Sequence, residues 1–233
     1  MTARLRGPRT PRHLLPVDQL DALALPLGDD GVVAGVDAQG GTAVLGFHHP
    51  RPYDVVLIGG LWTAQVLALR LAATGARIAV ETGRPQVWTT LLHAVGGEAG
   101  VGGAMSVHEV GRVPPQGATV GSPVVVVRDC GMKPPRGRVS SGPWQSVLTL
   151  LPYLSPVAPR LLRGAALAGV QRVSPQEARH LGRLLALSPQ EVGALPALGD
   201  GVTLWCAPKD RQFAMIQPTD AETGLLGVAR RLD

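Results

Sequence analysis

The chain has 233 residues, a formal net charge of +5, 45% apolar residues and only 3% aromatic ones. That length suits a single domain with an aliphatic core, and the apolar share excludes bulk disorder. Arg4, Arg6, Arg9 and Arg12 lie in the first twelve residues with no acid among them; taking those four away leaves a net charge of +1, so no specific nucleic acid is expected as a partner.

Cys130 and Cys206 are far apart and form no CxxC pair, which fits a reduced, cytoplasmic setting and no metal site. The N-terminal segment lacks the apolar core of a signal peptide. The most apolar region, 147–162, is interrupted by Pro152, Pro156 and Pro159, so no transmembrane segment is expected.

Residues 1–17 read as a mobile Arg- and Pro-rich tail, followed by a short helical turn over 17–27. Residues 18–233 read as one α/β domain, with 170–233 a helical and hairpin appendage. Val32–Asp37 and Thr42–Phe47 flank Gly40-Gly41 and predict a β-hairpin. Next comes the centre of the chain: an apolar strand over 53–58, Gly59-Gly60, a helical pattern to about 73, and a second apolar run over 77–81. Strand, glycine turn, helix and strand make a βαβ unit.

Gly83-Arg84-Pro85 predicts the start of a helix that runs to about Val95, where Gly96-Gly97 stops it. A glycine loop over 96–104 leads to a strand within 106–113. Val124–Val127 is a β-branched run that predicts a strand buried on both faces, as in a parallel sheet. Asp129 follows it and is expected to cap or to pair locally with Arg128. Lys133, Arg136 and Arg138 form a basic loop. Residues 144–151 and 158–167 read as helices. Ser174-Pro175-Gln176-Glu177, Ser188-Pro189-Gln190-Glu191 and Thr219–Glu222 are capping boxes opening helices, the last running to about Arg231. Gly201–Cys206 and Gln212–Gln217 predict a second hairpin. The fold class is therefore α/β: an open, mostly parallel sheet around a βαβ core, with β-hairpins and a C-terminal helical pair.

The glycine turn is the obvious place for chemistry, because glycines let a phosphate approach the backbone and a helix N-terminus attracts it. A dinucleotide fingerprint would fall on Gly59, Leu61 and Ala64, with Glu81 placed to hold a ribose. Leu61 stands where that fingerprint needs glycine. A Walker A spacing would fall on Gly59, Ala64, Gln65 and Val66. Gln65 lacks the charge of the lysine, and Val66 lacks the hydroxyl that holds Mg²⁺. Gly59, Gly60 and Glu81 are thus a vestigial cofactor site, with no catalytic residue, metal or cofactor expected. Trp62 occupies a turn where phosphate loops carry small residues; with Lys133, Arg136 and Arg138 it is a candidate for protein contacts.

The segments 35–40, 43–45 and 55–60 with the following helix resemble the start of FtsK/SpoIIIE-type motor domains. The chain also resembles actinobacterial type VII secretion-associated accessory proteins, through Thr203-Leu204-Trp205 and Pro218–Glu222. The resemblance implies a degenerate P-loop domain that acts by contact, as a cytoplasmic accessory of a secretion or motor complex that reaches the membrane only through that complex. Its implied partner is a secretion-system ATPase or a membrane component. The alternative is a divergent Rossmann-type NAD- or FAD-dependent enzyme.

Overall fold

The structure, a computed structural model, describes residues 31–96, 103–137 and 139–231. The tail over 1–17, the helical turn at 17–27, most of the glycine loop at 96–104 and Arg138 lie outside the described residues.

The strands are β1 (Gly31–Val36), β2 (Thr42–Gly46), β3 (Tyr53–Ile58), β4 (Arg77–Thr82), β5 (Met105–His108), β6 (Val124–Asp129), β7 (Gln145–Leu151), β8 (Leu167–Val170), β9 (Val202–Cys206) and β10 (Arg211–Met215). They form one sheet in the order β2-β1-β10-β9-β8-β3-β7-β6-β4-β5. From β8 to β5 the strands run parallel. The other strands extend the sheet antiparallel beyond β8, so both hairpins belong to it. The helices are α1 (Leu61–Ala73), α2 (Thr89–Ala94, after a 3₁₀ turn over Pro85–Trp88), α3 (Ala158–Gly164), α4 (Pro175–Leu184), α5 (Pro189–Ala194) and α6 (Asp220–Leu226).

Each strand alternates its side chains between two buried faces. Val125 and Val127 join Leu57, Leu148 and Trp88 beneath α1 and α2. Ile58 and Leu151 face the other way, against Leu162 of α3 and Leu181 of α4. Val126, Val147 and Ala79 share that second face, but there Val113, Ala118 and Val139, all from loops, cover them. The valine run of β6 is continuous because both faces need apolar cover.

The structure corrects several element assignments. Residues 145–151 form the central strand β7, hydrogen-bonded in register to β3 and β6, and not a helix. The helix expected over 158–167 stops at Gly164, Ala165 turns extended, and 167–170 pairs with β3 as β8. The strand expected within 106–113 ends at His108, and Gly111 turns the chain with φ 77°. The last helix ends at Leu226 and not near Arg231: Gly227 takes φ 73°, and the chain leaves as an irregular strap over 227–231. All three capping boxes are formed.

One ion pair ties α1 to α6. Arg70 donates from Nε to Glu222 at 2.6 Å, from Nη1 to the Val33 carbonyl and from Nη2 to the Gln217 carbonyl. The same carboxylate closes the α6 capping box with Thr219. Burial works to raise the Glu222 pKa, and hydrogen bonds from Arg70 and Thr219 outweigh it, so the value lies below the ordinary one. A carboxyl depressed on folding stabilises fully above its unfolded value, near 4.5, and that share is lost as pH falls through the lower folded value. Glu222→Gln is expected to lower the unfolding free energy by about 3 kcal/mol near neutral pH and to flatten the acid limb of the stability–pH curve. Urea unfolding at a series of pH values measures both.

A close approach between strands gives a second test. Gly169 pairs with Trp205 across β8 and β9. A Cβ at Gly169 would lie 2.5 Å from the indole ring, which is itself buried. Gly169→Val is therefore expected to cost about 1–3 kcal/mol, read as a lower urea midpoint.

Candidate functional site

A phosphate loop of the Walker type needs eight residues between strand and helix, so that successive amides can wrap the anion. Here β3 ends at Ile58 and α1 begins at Leu61, leaving only Gly59 and Gly60 between them. Gln65 and Val66 are not loop residues at all. They lie in the second turn of α1, both buried, with Gln65 Nε2 donating to the Val87 carbonyl at 2.7 Å.

The turn's own donors are satisfied from inside the protein. The Gly59 amide donates to the Leu151 carbonyl at 3.0 Å, carrying the parallel ladder past the strand end. The Gly60 amide donates to Gln171 Oε1 at 2.7 Å. Gln171 follows β8, and its Nε2 donates onward to the Thr63 and Thr203 hydroxyls. A side chain thus caps the α1 N-terminus from 111 residues away in sequence.

Crowding explains why both turn residues are glycine. Gly60 has φ −83° and ψ 158°, a backbone that any residue adopts. A Cβ there would, however, lie 2.6 Å from the Arg231 carbonyl oxygen and 2.9 Å from that of Arg230. One at Gly59 would lie 2.6 Å from Gln171 Oε1. The close approach that such glycines give a phosphate is used here by the C-terminal strap and by Gln171. Trp62, 1% exposed, donates its indole N–H to the Gly227 carbonyl at 3.0 Å, where the strap begins. Arg231 is buried beyond it, giving hydrogen bonds to the Arg172 and Pro152 carbonyls. Trp62 therefore fills the head of the helix and presents no surface for a partner.

Asp129, at the end of β6, does not pair with Arg128. It accepts from Arg84 Nε and Nη2, from the Thr82 hydroxyl and from Trp88 Nε1, all between 3.0 and 3.3 Å. A carboxylate with those acceptor sites engaged has little left to hold Mg²⁺ or orient water. Arg128 points to the opposite face of the sheet and pairs with Glu81 at 2.5 Å. Glu81, fully buried, also accepts the Gly111 amide at 2.7 Å. In a dinucleotide fold the ribose-binding acid ends the strand next to the glycine turn. Here β7 and β6 stand between β3 and β4, so Glu81 lies about three strand spacings, roughly 14 Å, from the turn.

A cavity of about 470 Å³ remains over the strand ends, lined by Gly60, Arg84, Asp129, Tyr153 and Arg231 among others. Cys130 also borders it, but burial, first among several causes, pushes its thiol up to about 12, so no thiolate forms near neutral pH. Lys133 and Arg136 are exposed; Arg136 borders a different pocket, on the second face. Gly59 and Gly60 are thus brought together with Arg84, Asp129 and the strap, while Glu81, Lys133 and Arg136 stand apart from them. Sequence reasoning missed Gln171, Arg84 and Arg231, since nothing local marks them. Among the described residues no group of His, Cys, Asp and Glu could hold a metal ion, and no helix is long and apolar enough to cross a membrane.

No family model and no curated protein matches the sequence. Solved structures do. VirB4 of Thermoanaerobacter pseudethanolicus superposes with a TM-score of 0.57 at 11% identity, over 84% of this chain and 99% of that one. A structure described as an ATPase gives 0.49 at 15% identity, over 93% and 95%. The genome packaging NTPase B204 from Sulfolobus turreted icosahedral virus 2, in complex with sulfate, gives 0.46 at 10% identity, over 73% and 98%. The likeness to VirB4 shows the fold: a mixed α/β domain with a P-loop NTPase-like fold.

The strap's hold on the turn can be measured. Trp62→Phe removes the donor to Gly227 while keeping most of the packing. It is expected to cost about 1 kcal/mol and to speed amide hydrogen exchange over 227–231 more than elsewhere. Unchanged exchange there would show that the indole does not anchor the strap.

Proposed function

We propose that this protein is a non-catalytic interaction protein on a P-loop ATPase-type fold, a cytoplasmic accessory of a secretion or motor complex. The observation that carries the reading is the occupied turn. The Gly60 amide is bonded to Gln171, two strap carbonyls crowd Gly60, and the turn is two residues long. Asp129 is held by Arg84, Thr82 and Trp88. A hydrolase would need amides, a lysine, a hydroxyl and a free acid at these places. Each of those groups is either lacking here or already bonded within the protein.

The type VII setting and a secretion ATPase as partner follow from the sequence resemblance, and the fold shared with VirB4 is compatible with them. The basic loop carrying Lys133 and Arg136 is the exposed candidate for that contact.

Thermal unfolding with and without millimolar Mg-ATP, ADP, NAD and FAD tests the reading, together with a phosphate-release assay. A ligand that binds only the folded state raises the midpoint. The expected result is no shift and no turnover. A shift with Mg-ATP and turnover that Gly60→Trp abolishes would overturn it. The accessory role is tested by gel filtration with a purified FtsK/SpoIIIE-type ATPase. Co-elution that Lys133→Glu with Arg136→Glu disrupts is expected, and separate elution at micromolar concentrations would count against that role.

A further inference from the structure

We propose that the groove between the 154–159 segment and α4 binds an acylated amino acid or the free carboxyl end of a chain: a carboxylate beside an apolar side chain, with an amide carbonyl behind it. The groove has a volume of about 520 Å³. Leu154, Ser155, Pro156 and Pro159 line one wall, and Arg179 and Arg183 of α4 line the other. That volume lies within the usual range for small-ligand sites.

One buried group in the groove lacks a partner. Ser155 is 2% exposed. Its carbonyl accepts the Ala158 amide at 2.9 Å, but its hydroxyl oxygen is buried and makes no hydrogen bond among the described residues. Buried hydroxyls are rarely left so, because the lost contact with water is not repaid. Glu177, the one acid among the described residues that line the groove, is engaged elsewhere. It accepts the Leu154 amide at 3.1 Å and the Ser174 amide and hydroxyl at 3.0 and 2.7 Å. The Ser155 hydroxyl is therefore left for a group that comes from outside.

Charge and surface decide what that group belongs to. Arg179 and Arg183 are exposed, stand one helical turn apart and make no ion pair among the described residues. His180, which also lines the groove, accepts from Arg183 Nη2 at 3.4 Å through Nδ1. Burial works to raise the Glu177 pKa, and hydrogen bonds from Ser174 and Leu154 with the Arg231 charge outweigh it, so Glu177 stays ionised. Two guanidinium groups against one carboxylate leave the groove basic, and guanidinium matches the planar fork of a carboxylate. The nearby Glu177 charge favours a monoanion over a dianionic phosphate. Leu154, Pro156 and Pro159 offer an apolar wall for an aliphatic side chain. A neutral carbonyl suits the Ser155 hydroxyl better than a second anion, since a buried charge needs more than one partner. The inference stands apart from the reading of the glycine turn, because the two sites share no residue.

The test titrates the full chain by calorimetry with N-acetyl-leucine, with N-acetyl-leucinamide and with an acetylated tetrapeptide that ends in leucine and keeps its carboxyl free. Saturable binding of the two acids is expected, with the leucinamide about tenfold weaker or more than N-acetyl-leucine. Tighter binding of the tetrapeptide points to a chain end, and equal or weaker binding points to a free acyl amino acid. Arg179→Gln with Arg183→Gln keeps the helix and should weaken binding about tenfold or more, along with its dependence on salt. Ser155→Ala should weaken binding about threefold or more, yet leave the urea midpoint of the free protein unchanged or higher, because the hydroxyl it removes bonds to nothing in the protein. No saturable binding of either acid at millimolar concentration overturns the proposal. So does leucinamide binding that matches the acid, binding that the arginine variant leaves unchanged, or a Ser155→Ala variant that is less stable and binds as well as the parent.

Discussion

The Gly60 amide sits at the positive end of a thirteen-residue helix and must find an acceptor. In a phosphate-binding turn the acceptor arrives with the ligand. Here it is the Gln171 side chain, at 2.7 Å, with the carbonyls of Arg230 and Arg231 crowding the same glycine. Neutral dipoles replace an anion, and they come from the end of β8 and from the end of the described chain. The turn is shortened to match: an eight-residue loop around these groups would enclose nothing. The crowding that makes glycine necessary at 59 and 60 is the protein's own.

That arrangement depends on the sheet order. Gln171 reaches Gly60 because β8 lies beside β3, and it reaches Thr203 because β9 lies on the other side of β8. The strap reaches the turn because α6 is held against α1 by Arg70 and Glu222, and because Gly227 turns the chain at the end of that helix. Arg70 also binds carbonyls after β10 and in β1, so one guanidinium fixes the antiparallel half of the sheet to the helix that starts at the turn. The site at the head of β3 is therefore as rigid as the packing of the whole first face.

Local chemistry was legible in the sequence, and distant pairing was not. The capping boxes could be read because serine or threonine and glutamate three residues on satisfy each other without outside help. The valines of β6 could be read because a run apolar on both faces has few other homes. Residues 145–151 were misread because Leu148, Leu150 and Leu151 suit a helix as well as a strand; only β3 and β6 on either side decide it. Gly164 ended the expected helix before Leu167, and the four residues from there were claimed by the edge of β3. Gln171 and Arg231 could not be found from spacing, since their partners lie far off in the chain. That Val66 lacks a hydroxyl is plain in the sequence, but its place inside α1 depends on a turn length that the apolar pattern does not reveal.

Asp129 and Glu81 place two carboxylates near the ends of parallel strands. Asp129 ends β6, Glu81 is the penultimate residue of the neighbouring β4, and the two point to opposite faces of the sheet. Each is almost wholly buried and each meets an arginine. Buried ion pairs seldom add net stability over apolar replacements, because desolvation offsets most of the attraction. What they supply here is position. Arg84, drawn to Asp129, sets the start of the 3₁₀ turn over 85–88 and brings Trp88 beneath the sheet end. Arg128, drawn to Glu81, takes the Pro135 carbonyl and folds the basic loop back under the second face. The two ion pairs thus fix the two loops that leave β4 and β6. Charge at these strand ends shapes the loops on either side of the sheet.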